Sequence, residues 1–263
     1  MITAIDRSST TGPAQALLLS IYGTVCRTGL FSTTLGRNAF LIAYHRYKTW
    51  AEAAQVSALR ALVPKGSTVV DVGANVGFYT RHFANWVGPE GKVIAIEPEA
   101  ANFASLKRMT LRKGCTNVDP IQAVAAEVPG TLKLQINPFH PADHRISSSG
   151  IDVRALTLDD LLLKGDRPPL SLIKIDVQGA EEKVLRGATA VLRDLRPALF
   201  LEVDHAALAA MGSSAESLLG FLSAHGYQLC RLGKGQPSRL DLDSAIRLCR
   251  PGTYTDFLAQ PIC

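Results

Sequence analysis

The 263 residues, 47% hydrophobic and 19% charged, are enough for an α/β domain with a sizeable buried core. That apolar fraction excludes wholesale disorder, and 21 Gly with 14 Pro exclude collagen-like or low-complexity designs. Against 23 Asp+Glu the 28 Lys+Arg leave a net charge of +5. The densest basic group, Lys107, Arg108, Arg112 and Lys113, has the spacing of a solvated helix face rather than of a nucleic-acid patch.

Residues 1–63 read as a helical extension that forms a lid, pairs two subunits as a homodimer, or both. Leu18, Ile21, Tyr22 and Val25 fall on one helical stripe, and Ala51–Leu62 is rich in Ala and Leu. The apolar run Ala14–Val25 is too short and too interrupted to span a bilayer, so no membrane partner is expected. Five cysteines without metal-type spacing read as the reduced thiols of a cytoplasmic protein.

After Pro64-Lys65-Gly66 the rhythm changes, and residues 64–263 read as the second unit. Apolar runs at Thr68–Val72, Lys92–Glu97, Asn117–Val124, Leu170–Asp176, Ala198–Val203 and Tyr227–Leu232 predict strands. Helical patterns at Val76–Trp86, Glu99–Arg112, Gly179–Leu192 and Ala215–Ala224 lie between them. Such alternation predicts an α/β fold, a mostly parallel sheet covered by helices on both faces. Thr253–Gln260 reads as an added antiparallel strand at or near an edge. Residues 130–158 break the rhythm with short strand-like pieces around a polar loop, an insertion expected to serve substrate.

The first chemical signal is Asp71-Val72-Gly73-Ala74-Asn75-Val76-Gly77-Phe78-Tyr79-Thr80, a strand passing through a glycine-bearing turn into a helix. Glycines there permit a tight turn and close approach of a ligand to the backbone beside a helix N-terminus. Asn75 occupies the place of a dinucleotide fingerprint's second glycine, which disfavours a pyrophosphate and with it a nicotinamide-dependent oxidoreductase. Twenty residues after Gly77, Glu97 precedes Pro98 at a strand tip, where a carboxylate can receive a ribose diol. An adenosine ligand without pyrophosphate fits, and S-adenosylmethionine is such a ligand. A second acid, Asp176, ends the strand Leu172–Ile175 and is followed by Gly179 and a helix, next to the cofactor's reactive end if the two strands are neighbours.

These segments, with IEP (96–98), TLDDLL (157–162), IKIDVQGAEEKVLRGA (173–188) and LFLEVD (199–204), resemble the FkbM family of S-adenosylmethionine-dependent methyltransferases. The resemblance implies a Rossmann-like class I methyltransferase fold with a seven-stranded sheet of order 3-2-1-4-5-7-6. It also implies O-methylation of a hydroxyl on a sugar, a glycosylated compound or a polyketide natural product, with S-adenosylhomocysteine as product. By carry-over, Asp71, Gly73, Asn75, Gly77 and Glu97 line the cofactor site and Asp176 borders the reaction centre. Ala74, Phe78, Tyr79, Thr80 and Pro98 belong to the same motifs. The chain departs from the family at Gln178, where Glu is common, and at Gln122-Ala123, where many methyltransferases carry an adenine-binding Asp; adenine is expected to be held there by the Gln122 side chain, backbone groups and stacking instead.

An aliphatic hydroxyl is a poor nucleophile, so a base or a metal is expected. Asp176 is one candidate base. His144 oriented by Asp143 is another, with Arg145, His140, Glu202 and Asp204 on the substrate side. Mg2+ between Asp176, Glu202 and Asp204 is an alternative that no spacing demands. The competing non-enzymatic reading is a binding module that kept the fold and lost the chemistry.

Overall fold

The computed structural model describes residues 52–111, 115–137, 144–164, 169–232, 237–251 and 254–262. Most of the N-terminal extension, Arg112, Lys113, His140, Asp143, Cys26 and Cys263 lie outside the described residues. Helix α1 (Ala53–Arg60) precedes β1 (Thr68–Val72), α2 (Phe78–Val87), β2 (Lys92–Ile96), α3 (Ala100–Thr110) and β3 (Val118–Ile121). A second group follows: β4 (Val124–Ala125), β5 (Gly130–Gln135), β6 (Arg145–Ser147), β7 (Ile151–Leu156) and α4 (Leu158–Leu162). The chain then forms β8 (Leu170–Ile175), α5 (Glu181–Arg186), α6 (Thr189–Asp194), β9 (Ala198–Asp204), α7 (His205–Ala210) and α8 (Ala215–Ala224). It ends with β10 (Tyr227–Arg231), β11 (Ser238–Leu240), α9 (Leu242–Leu248) and β12 (Tyr254–Pro261). Among the described residues no helix is long and apolar enough to cross a membrane.

The main sheet has the order β11-β10-β12-β9-β8-β1-β2-β3, with β3, β2, β1, β8 and β9 parallel. The expected order of seven strands is present, and β11 adds an eighth as a hairpin partner of β10. β12 is antiparallel and near an edge as expected, lying between β9 and β10 with β11 outermost. At the opposite edge β3 carries Pro120, whose missing N–H is tolerated where no further strand pairs.

Side-chain alternation sorts the sheet into two faces. Val70, Val72, Ile173, Ile175, Leu199 and Leu201 pack beneath α5, α6 and α8, whereas Val69, Leu172, Phe200 and Leu258 pack beneath α1, α2 and α3. The helix expected over Gly179–Leu192 is two helices, broken at Gly187. A Cβ at Gly187 would sit 2.0 Å from the Ala126 carbonyl oxygen, so this backbone contact fixes the break and anchors the insertion. The insertion is a separate four-stranded sheet, β4-β7-β5-β6, with its own small core of Val124, Leu134 and Val153. Thr157 caps α4 as expected, accepting the Asp160 N–H at 3.0 Å.

Candidate functional site

The turn between β1 and α2 lies beside the end of β8, because β1 pairs with both β2 and β8. Its shape is set by three left-handed residues, Gly73 (φ 75°), Asn75 (φ 51°) and Gly77 (φ 89°). The glycines are required by packing. A Cβ on Gly73 would lie 1.9 Å from the Asp176 carbonyl oxygen, and one on Gly77 would lie 2.9 Å from Met109 Cε. Gly73→Ala therefore forces the two strand ends apart and strains φ, at an expected cost of at least about 2 kcal/mol, readable as a fall in Tm by circular dichroism.

Glu97 ties the second strand to this turn. It is 4% exposed; Oε2 accepts the Asn75 N–H at 2.8 Å and Oε1 the Glu99 N–H at 3.0 Å. The Asn102 side chain also hydrogen-bonds this carboxylate, which leaves it one further acceptor position. Burial pushes the carboxyl up to about 7, only partly offset by the N–H donors of Glu99 and Asn75. Gly73 and Ala74 donate their N–H groups to the Ile96 carbonyl, so the turn is stitched to β2 by backbone as well. Gln122 is exposed, with its amide 3.5 Å from the Pro98 carbonyl oxygen, and Ala123 is buried. The first turn of α2 has no side-chain cap, so the positive end of its dipole lies at the Gly73–Gly77 turn without a capping side chain.

Asp71 sits one layer lower, fully buried. Its Oδ2 accepts the Thr80 hydroxyl at 2.6 Å, and its Oδ1 faces Lys174 Nζ at 3.3 Å. Lys174, 3% exposed, also lies 3.6 Å from Asp176 Oδ2 and 5.2 Å from the centre of the Tyr79 ring. Tyr79 is buried against Phe78, Phe83 and Phe200, and burial with the nearby Glu52 carboxylate drives its phenol far above the usual range. Of the residues in the first motif, Asp71, Phe78, Tyr79 and Thr80 thus form the floor. Asp176, with a side chain 24% exposed, stands above Lys174 at the crevice.

The period of two puts Asp176, Glu202 and Asp256 on the face that carries Lys174, Phe200 and Leu258, with Glu202 and Asp256 directly paired in register. Sequence reading passed over Lys174, Gln55 and Asp256. Gln55 Nε2 of α1 donates to Asp256 Oδ2 at 3.0 Å, which docks α1 on this side of the sheet. A lysine two residues before a strand-end acid was the available signal for the first; nothing local marked the other two. Asp204 caps α7, accepting the Ala206 and Ala207 N–H groups at 2.9 and 3.1 Å. Among the described residues no group of three His, Cys, Asp or Glu side chains is arranged to hold a metal ion.

Arg145 belongs to the second sheet, and His144 directly precedes it. His144 Nδ1 accepts the Asn137 N–H at 3.2 Å, an arrangement that puts the proton of a neutral ring on Nε2. Arg145 opens β6 opposite Gln135.

Residues 71–229, more than half the sequence, match the methyltransferase FkbM domain. The chain belongs to the FkbM methyltransferase family. The FkbM match leaves the nicotinamide-dependent alternative without support. Hexuronic acid methyltransferase AglP of Haloferax volcanii is 28% identical over 127 residues, 48% of this chain and 51% of that protein. Methyltransferase sdnD of Sordaria araneosa is 27% identical over 162 residues, 48% of this chain and 62% of that protein. The chain therefore spans about half to three fifths of the length of the curated relatives it matches. The fold is shared with a proposed rRNA-methylase from Clostridium thermocellum, at a TM-score of 0.51 and 12% identity, covering 80% of this chain and 95% of that one.

Proposed function

We propose that this protein transfers a methyl group from S-adenosylmethionine to a hydroxyl of a small molecule, a sugar or a natural product. The observation that carries this reading is the convergence of Glu97, the uncapped start of α2 and Asp176 around the Gly73–Gly77 turn. That donor set fits the cofactor. The Glu97 carboxylate suits a ribose hydroxyl, and the α2 N-terminus suits the methionine carboxylate. When bound, S-adenosylmethionine supplies a methyl group already activated by the neighbouring sulfonium.

What remains for the chain is to bind, align and dehydrate the acceptor, and alignment alone supplies several kcal/mol. Asp176, a partly exposed carboxylate at the strand end next to Gly73, is the base in this reading and accepts the proton of the acceptor hydroxyl as its oxygen attacks. Arg145 supplies a cation for an anionic acceptor, a role in keeping with the hexuronic acid substrate named for the Haloferax volcanii relative. Titration calorimetry with S-adenosylhomocysteine is expected to give a Kd of roughly 1–100 µM. The absence of heat at high micromolar ligand overturns the reading. Labelled-methyl transfer to a panel of uronic acids and hydroxylated natural products then identifies the acceptor.

A further inference from the structure

The turn that joins β8 to α5 holds an acid with no part in the reading above. Glu181 is 2% exposed, and its Oε1 accepts two backbone N–H groups, from Val177 at 3.2 Å and from Gly179 at 3.1 Å. Its Oε2 is buried without a hydrogen-bond partner. Burial pushes the carboxyl up to about 7, so this arrangement is costly. Stabilising the dipole of α5 does not account for that cost, since the helix is only six residues long.

The residue between the two donors explains it better. Gln178 has φ 56°, a left-handed conformation that non-glycine residues avoid, and its Nε2 donates to Asp176 Oδ1 at 3.4 Å. Lys174 approaches the other oxygen of Asp176 at 3.6 Å. The backbone around this turn has no slack. Gly73 presses on the Asp176 carbonyl on one side, and a Cβ on Gly179 would lie 2.2 Å from the Ala207 carbonyl oxygen on the other. With both ends wedged, the orientation of the peptides at 177–179 is the remaining freedom, and the Glu181 carboxylate fixes it.

We propose that Glu181 is a positioning residue, whose side-chain oxygen holds the 176–179 turn in the conformation that lays the Gln178 amide against Asp176 at the crevice. The kinetic part of the inference rests on the methyltransferase reading; the conformational part does not.

The test compares Glu181→Gln, which keeps an acceptor oxygen, with Glu181→Met, which keeps the size and loses it. Three quantities are read: amide exchange at Val177 and Gly179 by NMR, calorimetric affinity for S-adenosylhomocysteine, and kcat for methyl transfer. Glu181→Met is expected to speed exchange at both amides by at least about tenfold and to lower kcat by up to about a hundredfold, with cofactor affinity changed less than about threefold. Glu181→Gln is expected to restore exchange and kcat together, a rescue that a purely space-filling role does not produce. Wild-type exchange in Glu181→Met, or loss of protection in Glu181→Gln, overturns the proposal. If the methionine variant does not fold, protection at Val177 and Gly179 in the glutamine variant decides alone. Wild-type protein that binds no S-adenosylhomocysteine overturns the methyltransferase reading instead, and the exchange measurements still decide the role of Glu181.

Discussion

Lys174→Met is expected to destabilise the protein by about 3–5 kcal/mol, a fall in Tm of roughly 6–20 °C. The substitution preserves the length of the side chain and the packing of its stem, so the loss is electrostatic. Asp71 has no exposed surface, and with the ammonium gone its carboxylate keeps only the Thr80 hydroxyl. The converse change, Asp71→Val, strands a lysine that is 3% exposed, although Asp176 at 3.6 Å moderates the damage. The double variant Asp71→Val/Lys174→Met removes both charges and continues the apolar run of β1. It is expected to be more stable than Lys174→Met alone, because a buried ion pair costs most when half of it is removed. Chemical denaturation of the four proteins measures the coupling. Additive losses would show that the two charges do not depend on each other.

Glu97 is expected to give cofactor affinity a pH dependence. The carboxyl is pushed up to about 7 by burial, and a diol that donates a hydrogen bond to it favours its ionised form. Affinity for S-adenosylhomocysteine should therefore rise by up to about tenfold between pH 6 and pH 8. Glu97→Gln should flatten that profile and weaken binding by about 1.5–3 kcal/mol, the usual range for hydrogen bonds to a charged group. Calorimetry at several pH values reads both effects; a flat wild-type profile contradicts the assignment. Without ligand the sign reverses. A carboxyl whose pKa is raised on folding contributes most stability below the unfolded value of 4.5, and loses that contribution as pH climbs through about 7. Glu181 is raised in the same way, so the ligand-free protein should melt lower at pH 8 than at pH 5 insofar as these two groups decide. Bound cofactor should narrow that difference.

Much of this protein is local, and the sequence alone determined it. Strands β1, β2, β8 and β9 are continuous β-branched or leucine-rich runs that only a sheet covered on both faces can bury. The Gly73–Gly77 turn and the Thr157 cap are each written in one short stretch of chain, and the order of the motifs is itself a property of the sequence. The tertiary structure decided what those signals are for. Asp71 reads as a strand-tip acid, yet it is buried because its neighbour across the sheet is Lys174, a pairing set by the register between chain segments a hundred residues apart. Gly73 reads as a ligand contact, and only the structure shows that it also makes room for the Asp176 carbonyl. Gly187 splits a helix whose side-chain period runs unbroken because the Ala126 backbone crosses it. Side-chain periodicity reports which face of an element is apolar. It carries no information about which distant backbone lies against that face, and there the charges of this site acquired their partners.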